Sequence, residues 1–580
     1  MTQEAREVGS SVSVITAEDI KKNQIIFVKD ALQDLPGVKI TSDRPGDYTG
    51  VSIRGSNNDE VLWLIDGIEL GDPSSTSTEF RADHLTSRDI ARIEVLRGNQ
   101  SSLYGSDAIG GVVNIITKRA EQDGIEINAE AEAGNYGALS GSASILGKNG
   151  VIDFRLTATG YRHNGPSQSD PRTEATPGAV TEKDEYWRYG FSGRIGVAAS
   201  PNLSFQAIGL WQDSFSDLDD TASDTLNTVK KQEYAFAGQA NYRSDDMRFQ
   251  ADLTASRYVT QRLYFGVANR VEGDMYKGFK DAVNLALKFN ASDAVTLAIG
   301  GNWEWEKTDQ LTDYSGNFNE GIDTKSLYGE LALRPLDNLT ITAAARLDDN
   351  SRFGSFDTYR GTAAYIAGPL KLRASYGTGA KAPGLYQLFD PLYGNLDLKA
   401  ETSSGGDVGF DLNLRQGLTL QMSYFFNKKK NEINWDGRYE QFGRSRAHGI
   451  ELGLSAQPFD WLRFHQSFSV IEHKVDNSRN GDHPYVNSGR PEYYGMTAAT
   501  VTPLDGASLT ARVRYSDGNR SGYGGATKAY AVADLLGSVA ITDKVEIYAR
   551  VVNLFDTWYQ VTYGTQTLGR SAYGGIRLSF

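Results

Sequence analysis

IARIEVLRGNQSSLYGSDAIGGVVNIITK, residues 90–118, is the stretch on which the fold turns. Its first part, with Ile90, Ile93 and Val95, has the alternation of a strand. The pattern breaks at Arg97-Gly98, runs through a Gly- and Ser-rich middle, and closes as a β-branched run over residues 112–117. The segment before it mixes helix and strand patterns. The several hundred residues after it read as hairpins. The stretch is therefore the end of a small domain that hands the chain over to a very large barrel. Its glycines are not a phosphate loop, because no Gly-Lys-Ser/Thr follows, and residues 105–111 open no helix after a strand, which a dinucleotide site would need.

Working upstream, residues 11–15 alternate as a short strand. Thr16 caps a helix, with Asp19 at the capping-box position. VKDALQDL, residues 28–35, places Val28, Ala31, Leu32 and Leu35 on one helical face, and Pro36-Gly37 ends it. Residues 38–40 and 51–55 are strand pieces. VLWLIDGIEL, residues 61–70, is a strand, an Asp66-Gly67 turn and a return strand. The polar run GDPSSTSTE, residues 71–79, is a loop tip.

Downstream, alternating segments of 10 to 14 residues recur, for instance at 151–162, 203–213, 248–258, 418–426 and 545–552. Ten short turns, among them 147–150, 200–202, 335–337 and 542–544, take strict turns with longer polar connections. Counting strands around them gives about 22, and roughly 460 residues leave about 21 for each strand and its connection, which suits a membrane-crossing strand. Short turns on one side and long loops on the other is the pattern of an outer-membrane barrel. Closure leaves no exposed edge. A barrel this wide is not filled by its own side chains and must leak or be plugged, and the first 120 residues are the right size for a plug. The fold class is an all-β membrane barrel of about 22 antiparallel strands with a small N-terminal α/β domain in its lumen: plug at residues 1–120, barrel at 121–580.

Composition agrees. Among 580 residues, 61 Gly, 15 Pro and 30 Tyr fit many short strands and turns. No run of 18 apolar residues is present, which excludes a membrane-spanning helix but not a barrel. A net charge of −14 speaks against a nucleic-acid partner. The chain has no Cys, hence no disulfide frame, thiolate metal site or cysteine nucleophile. No signal peptide follows Met1, which is expected of a mature chain with an added start.

Five blocks occur in order: LPGV at 35–38, IRG at 53–55, LIDG at 64–67, IEVLRG at 93–98 and YGSDAIGGVVNIIT at 104–117. Together they resemble the plug of TonB-dependent outer-membrane transporters, and within that family most resemble the cobalamin receptors. Residues 553–556 with Tyr559, and a last strand closing on Phe580, are similar to the family's C-terminal end, which the barrel-insertion machinery reads. No TonB box is apparent before Val12. The resemblance implies a Gram-negative outer-membrane location, a monomer set in outer-membrane lipid, energy from an inner-membrane TonB complex, and no enzymatic activity; no nucleophile constellation is apparent either. It implies a bulky ligand, cobalamin or a related corrinoid, with a ferric siderophore or other metal chelate as the alternative.

By the same resemblance the plug tip meets the ligand: Asp72, Pro73, Ser74, Ser75, Thr76, Ser77 and Thr78, with Tyr48 from an earlier loop. Two acidic outer loops would hold calcium as the only cofactor. One is residues 163–185, with Asp170, Glu174, Glu182, Asp184 and Glu185. The other is residues 213–224, where Asp213, Asp217, Asp219, Asp220 and Asp224 could supply the oxygens calcium takes. The loop at 379–398 is expected to cap a strand, and Lys428-Lys429-Lys430 to be a solvated outer rim or a contact for anionic headgroups.

Overall fold

A computed structural model describes residues 9–173, 182–220, 223–266, 273–313, 315–415, 417–478, 485–519 and 525–580. No helix in it is long and apolar enough to cross a membrane; strands do the crossing. Twenty-two antiparallel strands form a closed barrel, beginning with Gly124–Gly134 and ending with Ser571–Ser579, which pair with each other to close it. A two-residue strand, Val486–Asn487, adds a short pairing beside Leu462–Asp476.

The strands are longer than the alternation alone suggests. Leu203–Asp220 and Ser223–Arg243 pair almost to their tips, and Leu418–Trp435 pairs with Tyr439–Phe459. Residues 213–220 and 223–224 thus belong not to a loop but to the two strands of a hairpin: outside the hydrocarbon layer the ladder continues, since every backbone N–H and C=O there still needs a partner. Lys428-Lys429-Lys430 is likewise not a wholly solvated rim. These residues lie within a strand, so with a side-chain period of two Lys428 and Lys430 are exposed while Lys429 points into the lumen. There it is buried and paired with Glu60 and Glu432 at 2.8 and 2.6 Å.

Inside the barrel is a five-stranded sheet in the order Val12–Thr16, Ile90–Arg97, Gly111–Thr117, Val61–Ile65, Ile68–Leu70. All pairs are antiparallel except Val61–Ile65 with Gly111–Thr117, which run parallel. A two-stranded sheet of Val38–Ile40 and Val51–Ile53 lies apart. Helix Ala17–Lys22 carries the Thr16/Asp19 capping box. The second helix is only Val28–Leu32; Pro36 disfavours helical geometry at Leu35. Asp66 and Gly67 both adopt positive φ, as a two-residue hairpin turn requires, and the Asp66 carboxylate accepts from Thr117 N and Oγ1 at 3.0 and 2.6 Å.

Residues 90–118 form two neighbouring strands of this sheet, joined by a helical turn at Ser101–Tyr104. Gly105 (φ +96°) faces the wall, where a Cβ would sit 2.9 Å from Arg346. Gly110 and Gly111 pack within the plug instead, against Ser56 and the Leu96 carbonyl. The plug core, with Val28, Leu32, Val51, Trp63, Ile93 and Ile115, is continuous with Ile208, Ala235, Ala237 and Tyr258 of the inner wall. The plug is seated by hydrophobic contact as well as by charge.

Candidate functional site

The ends of the strands opposite the short turns form an outer vestibule, and three features open toward it, one of the plug, one between plug and wall, and one of the wall. The first is the tip. Asp72 accepts from Ser74 N and Oγ (2.8 and 2.6 Å) and is ion-paired with Arg262 of the wall at 2.9 Å. Gln310 donates to the Ser74 carbonyl at 3.1 Å, and Ser77 donates to Asp59 at 2.5 Å. Pro73, Ser74, Ser75, Ser77 and Thr78 are buried, and only Thr76 is exposed. Gly384 presses on this loop so closely that a Cβ would lie 2.7 Å from the Ser77 Cα. The tip is thus a rigid platform with one outward residue. Beside it Tyr386, Tyr393, Trp435 and Tyr439 form a run of edge-to-face rings.

The second is a cavity of about 280 Å³ between plug residues 39–58 and the wall. Tyr48 stands at its edge, 42% exposed, with its hydroxyl donating to Glu79 at 3.0 Å and Arg81 stacked on its ring. Asn57, Asn58, His473, Arg490 and Tyr494 line the interior. Arg490, from an outer loop, donates to the Gly55 and Ser56 carbonyls at 2.6 and 2.7 Å and to Asn57 at 2.5 Å.

The third is the acidic corner. Glu182, Asp219 and Asp224 bring carboxylate oxygens within 4.8 Å of one another. Asp219 also accepts from Ser167 Oγ, Ser169 N and Thr225 N. Asp184 is 3% exposed, and its Oδ1 has no hydrogen-bond partner. Burial and neighbouring Asp224 and Asp219 push the Glu182 carboxyl up to about 8. Of the other acidic residues, Asp217 accepts from Glu185 N at 2.7 Å, Asp213 bonds the Tyr189 hydroxyl, and Asp170 accepts from Trp558 and Gln560. Glu174 and the Asp220 side chain lie outside the described residues.

Beneath the tip, Lys280 of the wall meets Glu69 of the plug at 2.6 Å and Glu304 and Glu306 at 3.1 Å. Burial pushes the Glu69 carboxyl up to about 8 and that of Asp107, in the same cavity, up to about 7. Burial opposes charge on His84 of the plug, but Glu233 and Asp83 outweigh it and hold its pKa above the usual value. All three groups bind more protons folded than unfolded, so the stability each contributes is lost as pH rises, for Glu69 from 4.5 toward about 8, for Asp107 from 3.8 toward about 7, and for His84 above 6.5. The plug transition in calorimetry is expected at higher temperature at pH 6 than at pH 8.5, with the difference reduced in Glu69→Gln. An unchanged pH slope in that variant would count against this account.

Two family profiles cover nearly the whole chain. Residues 4–112 match the TonB-dependent Receptor Plug Domain, and residues 97–554 match the TonB dependent receptor-like β-barrel. The chain is a TonB-dependent receptor. This receptor is 26% identical to the vitamin B12 transporter BtuB of Vibrio cholerae serotype O1, over 100% of its own length and 94% of that protein's. Its relation to BtuB of Photobacterium profundum is the same in identity and in both coverages. Among solved structures it superposes on the ferric enterobactin receptor PfeA of Pseudomonas aeruginosa with a TM-score of 0.83 (19% identity, 100% of each chain). With the siderophore receptor PirA of Acinetobacter baumannii the TM-score is 0.82 (19% identity, 99% of this chain and 98% of that one). At that identity these structures speak to the fold. As a TonB-dependent receptor it resides in the outer membrane and works with TonB.

Of the residues the receptor's sequence singles out, Tyr48 and Thr76 face outward, the rest of the tip supports them, and Asp219 and Asp224 meet Glu182. Arg490 and His473 were not legible as site residues. They lie more than 400 positions from the plug groups they face, and neither belongs to a local motif.

Proposed function

We propose that this receptor imports a scarce, bulky nutrient across the outer membrane, cobalamin or a related corrinoid. The observation that carries this is the full-length match to vitamin B12 transporters, extending through plug and barrel alike. A ferric siderophore is the second reading, favoured by the superposition on siderophore receptors. In either case the ligand settles on Thr76, Tyr48 and the outer loops, TonB pulls from the periplasmic side, and the plug moves to open the lumen. The purified receptor titrated with cyanocobalamin and with a panel of ferric chelates, followed by tryptophan fluorescence, separates the two. Saturable binding of cyanocobalamin alone supports the first; binding of a chelate alone overturns it.

Calcium fits the acidic corner. Three converging carboxylates and a buried, unpartnered Asp184 oxygen are hard donors of the kind calcium takes. Glu182, Asp219 and Asp224 would hold it, with Asp184 alongside; Asp213 and Asp217 are engaged elsewhere. The bound ion would neutralise the mutual repulsion of the corner and tie the 166–173 segment to the hairpin. Asp219→Asn with Asp224→Asn is expected to abolish any rise in ligand affinity on adding calcium, a change of about tenfold, while affinity without calcium stays the same. An equal calcium response in wild type and variant would refute the assignment.

A further inference from the structure

The cavity beside Tyr48 carries a charge pattern at odds with the rest of the molecule. The chain is at −14, yet among the described residues lining this cavity there is no carboxylate and there are two cations, Lys39 and Arg490. Neither cation has an ion-pair partner among the described residues. Lys39 donates to Ser516 Oγ and the Tyr530 hydroxyl at 3.0 and 3.2 Å, leaving one N–H of its ammonium. Arg490 spends three of its five N–H groups on the Gly55–Asn57 loop. His473 lines the same cavity, 6% exposed, with neither ring nitrogen hydrogen-bonded. A buried imidazole with both nitrogens idle costs free energy unless something outside the protein meets it. The charges acting on it are those of Arg490 and Lys429, both positive.

We propose that this cavity is an anion subsite, which takes a phosphate or carboxylate carried on one arm of the transported ligand. Arg490 and Lys39 supply the charge, and a His473 ring N–H donates to an anionic oxygen. At about 280 Å³ the cavity is too small for a whole bulky chelate but suits a single arm. Asn57 adds a neutral amide donor, whereas both N–H groups of Asn58 are spent on Glu79 and the Phe80 carbonyl. The proposal rests on the import reading and deepens it, since it names the part of the ligand that this wall of the vestibule selects.

The test is binding by the full receptor of four ligands: cyanocobalamin, whose nucleotide arm bears a phosphodiester; dicyanocobinamide, which has the same corrin without that phosphate; ferric citrate; and ferric enterobactin. Lys39→Gln is expected to weaken one anionic ligand about tenfold, the loss of one charge-assisted hydrogen bond, and to leave cobinamide unchanged, while Arg490→Gln, which also frees the plug loop, is expected to cost that anionic ligand about tenfold more than it costs cobinamide. A drop for cyanocobalamin assigns the phosphodiester; a drop for ferric citrate assigns a carboxylate. Equal losses for cyanocobalamin and cobinamide would overturn the proposal, because Arg490 would then act only by holding the plug loop. So would no loss for any ligand. If the wild type binds none of the four, the import reading fails, and the subsite is judged by phosphorus-31 line broadening of inorganic phosphate. Broadening that disappears in the Lys39→Gln/Arg490→Gln double variant upholds it, and no broadening with wild type sinks it.

Discussion

Arg54→Ala is expected to unseat the plug while leaving the barrel intact. Arg54 stands at φ +54° at the tip of the turn after Val51–Ile53, with Gly55 (φ +81°) beside it. This geometry drives its guanidinium into the wall, where it is 5% exposed. There it donates to both oxygens of Glu451 (2.9 and 2.8 Å) and to Asp407 (3.3 Å), over the ring of Phe425. Asp407 keeps Arg373 at 3.1 Å, but among the described residues Glu451 retains only Arg97 as an ion-pair partner, at 3.9 Å. The variant therefore leaves Glu451 buried with a weak partner. Removing one member of a buried pair costs about 3–5 kcal/mol, mostly as the penalty on the charge left behind. The barrel ladder does not depend on this contact, so the cost falls on plug docking. Hydrogen exchange in Val51–Ile53 and Ile90–Arg97 is expected to accelerate, and the receptor to conduct small ions in planar bilayers, with the barrel's own melting unchanged. Arg54→Lys should fall between, since an ammonium keeps the charge without the two-pronged geometry. Tight, non-conducting channels from the alanine variant would show that the hydrophobic seat suffices.

What could be read from the sequence, and what could not, divides along the same lines. A strand with lipid on one side must alternate, so Leu418, Leu420, Met422, Tyr424 and Phe426 disclosed their strand and its outer face. Hairpins in the plug disclosed themselves by local chemistry: Asp66-Gly67 needs only its own backbone. The inward faces are another matter. Phe425 interrupts a polar face because it lies under Arg54, and Lys429 is buried because Glu60 waits in the plug 369 residues earlier. Neither fact leaves a trace within ten residues of either partner. The acidic hairpin shows both sides at once. Its charge was plain, yet the membership of the cluster depended on what the rest of the chain brings to each residue. Asp213 and Asp219, an even number of residues apart on one strand, still have different partners, Tyr189 for Asp213 and Ser167 with Ser169 for Asp219, and the third carboxylate comes from Glu182.

A disulfide between plug and wall is expected to stop import while sparing the binding site's chemistry. The chain has no cysteine, so a single introduced pair would be its only disulfide. Gly55 and Ala447 suit it: an ideal Cβ at Gly55 lies 3.6 Å from the Ala447 Cβ, within the range a disulfide spans. A side chain at Gly55 must accept φ +81°, at a cost of about 1–2 kcal/mol, which the oxidised and reduced forms share. Comparing those two forms of one Gly55→Cys/Ala447→Cys receptor therefore isolates the cross-link. Ligand binding should agree between them within about twofold, since the same atoms line the vestibule in both. Uptake into whole cells should be near zero when oxidised and return on reduction, because a plug pinned at its central turn cannot leave the wall that Arg54, Arg490 and the shared core hold it against. Undiminished uptake by the oxidised form would mean that the opening forms elsewhere, along the side of the plug facing Lys280 and Glu69, with the Arg54 turn remaining fixed throughout the cycle.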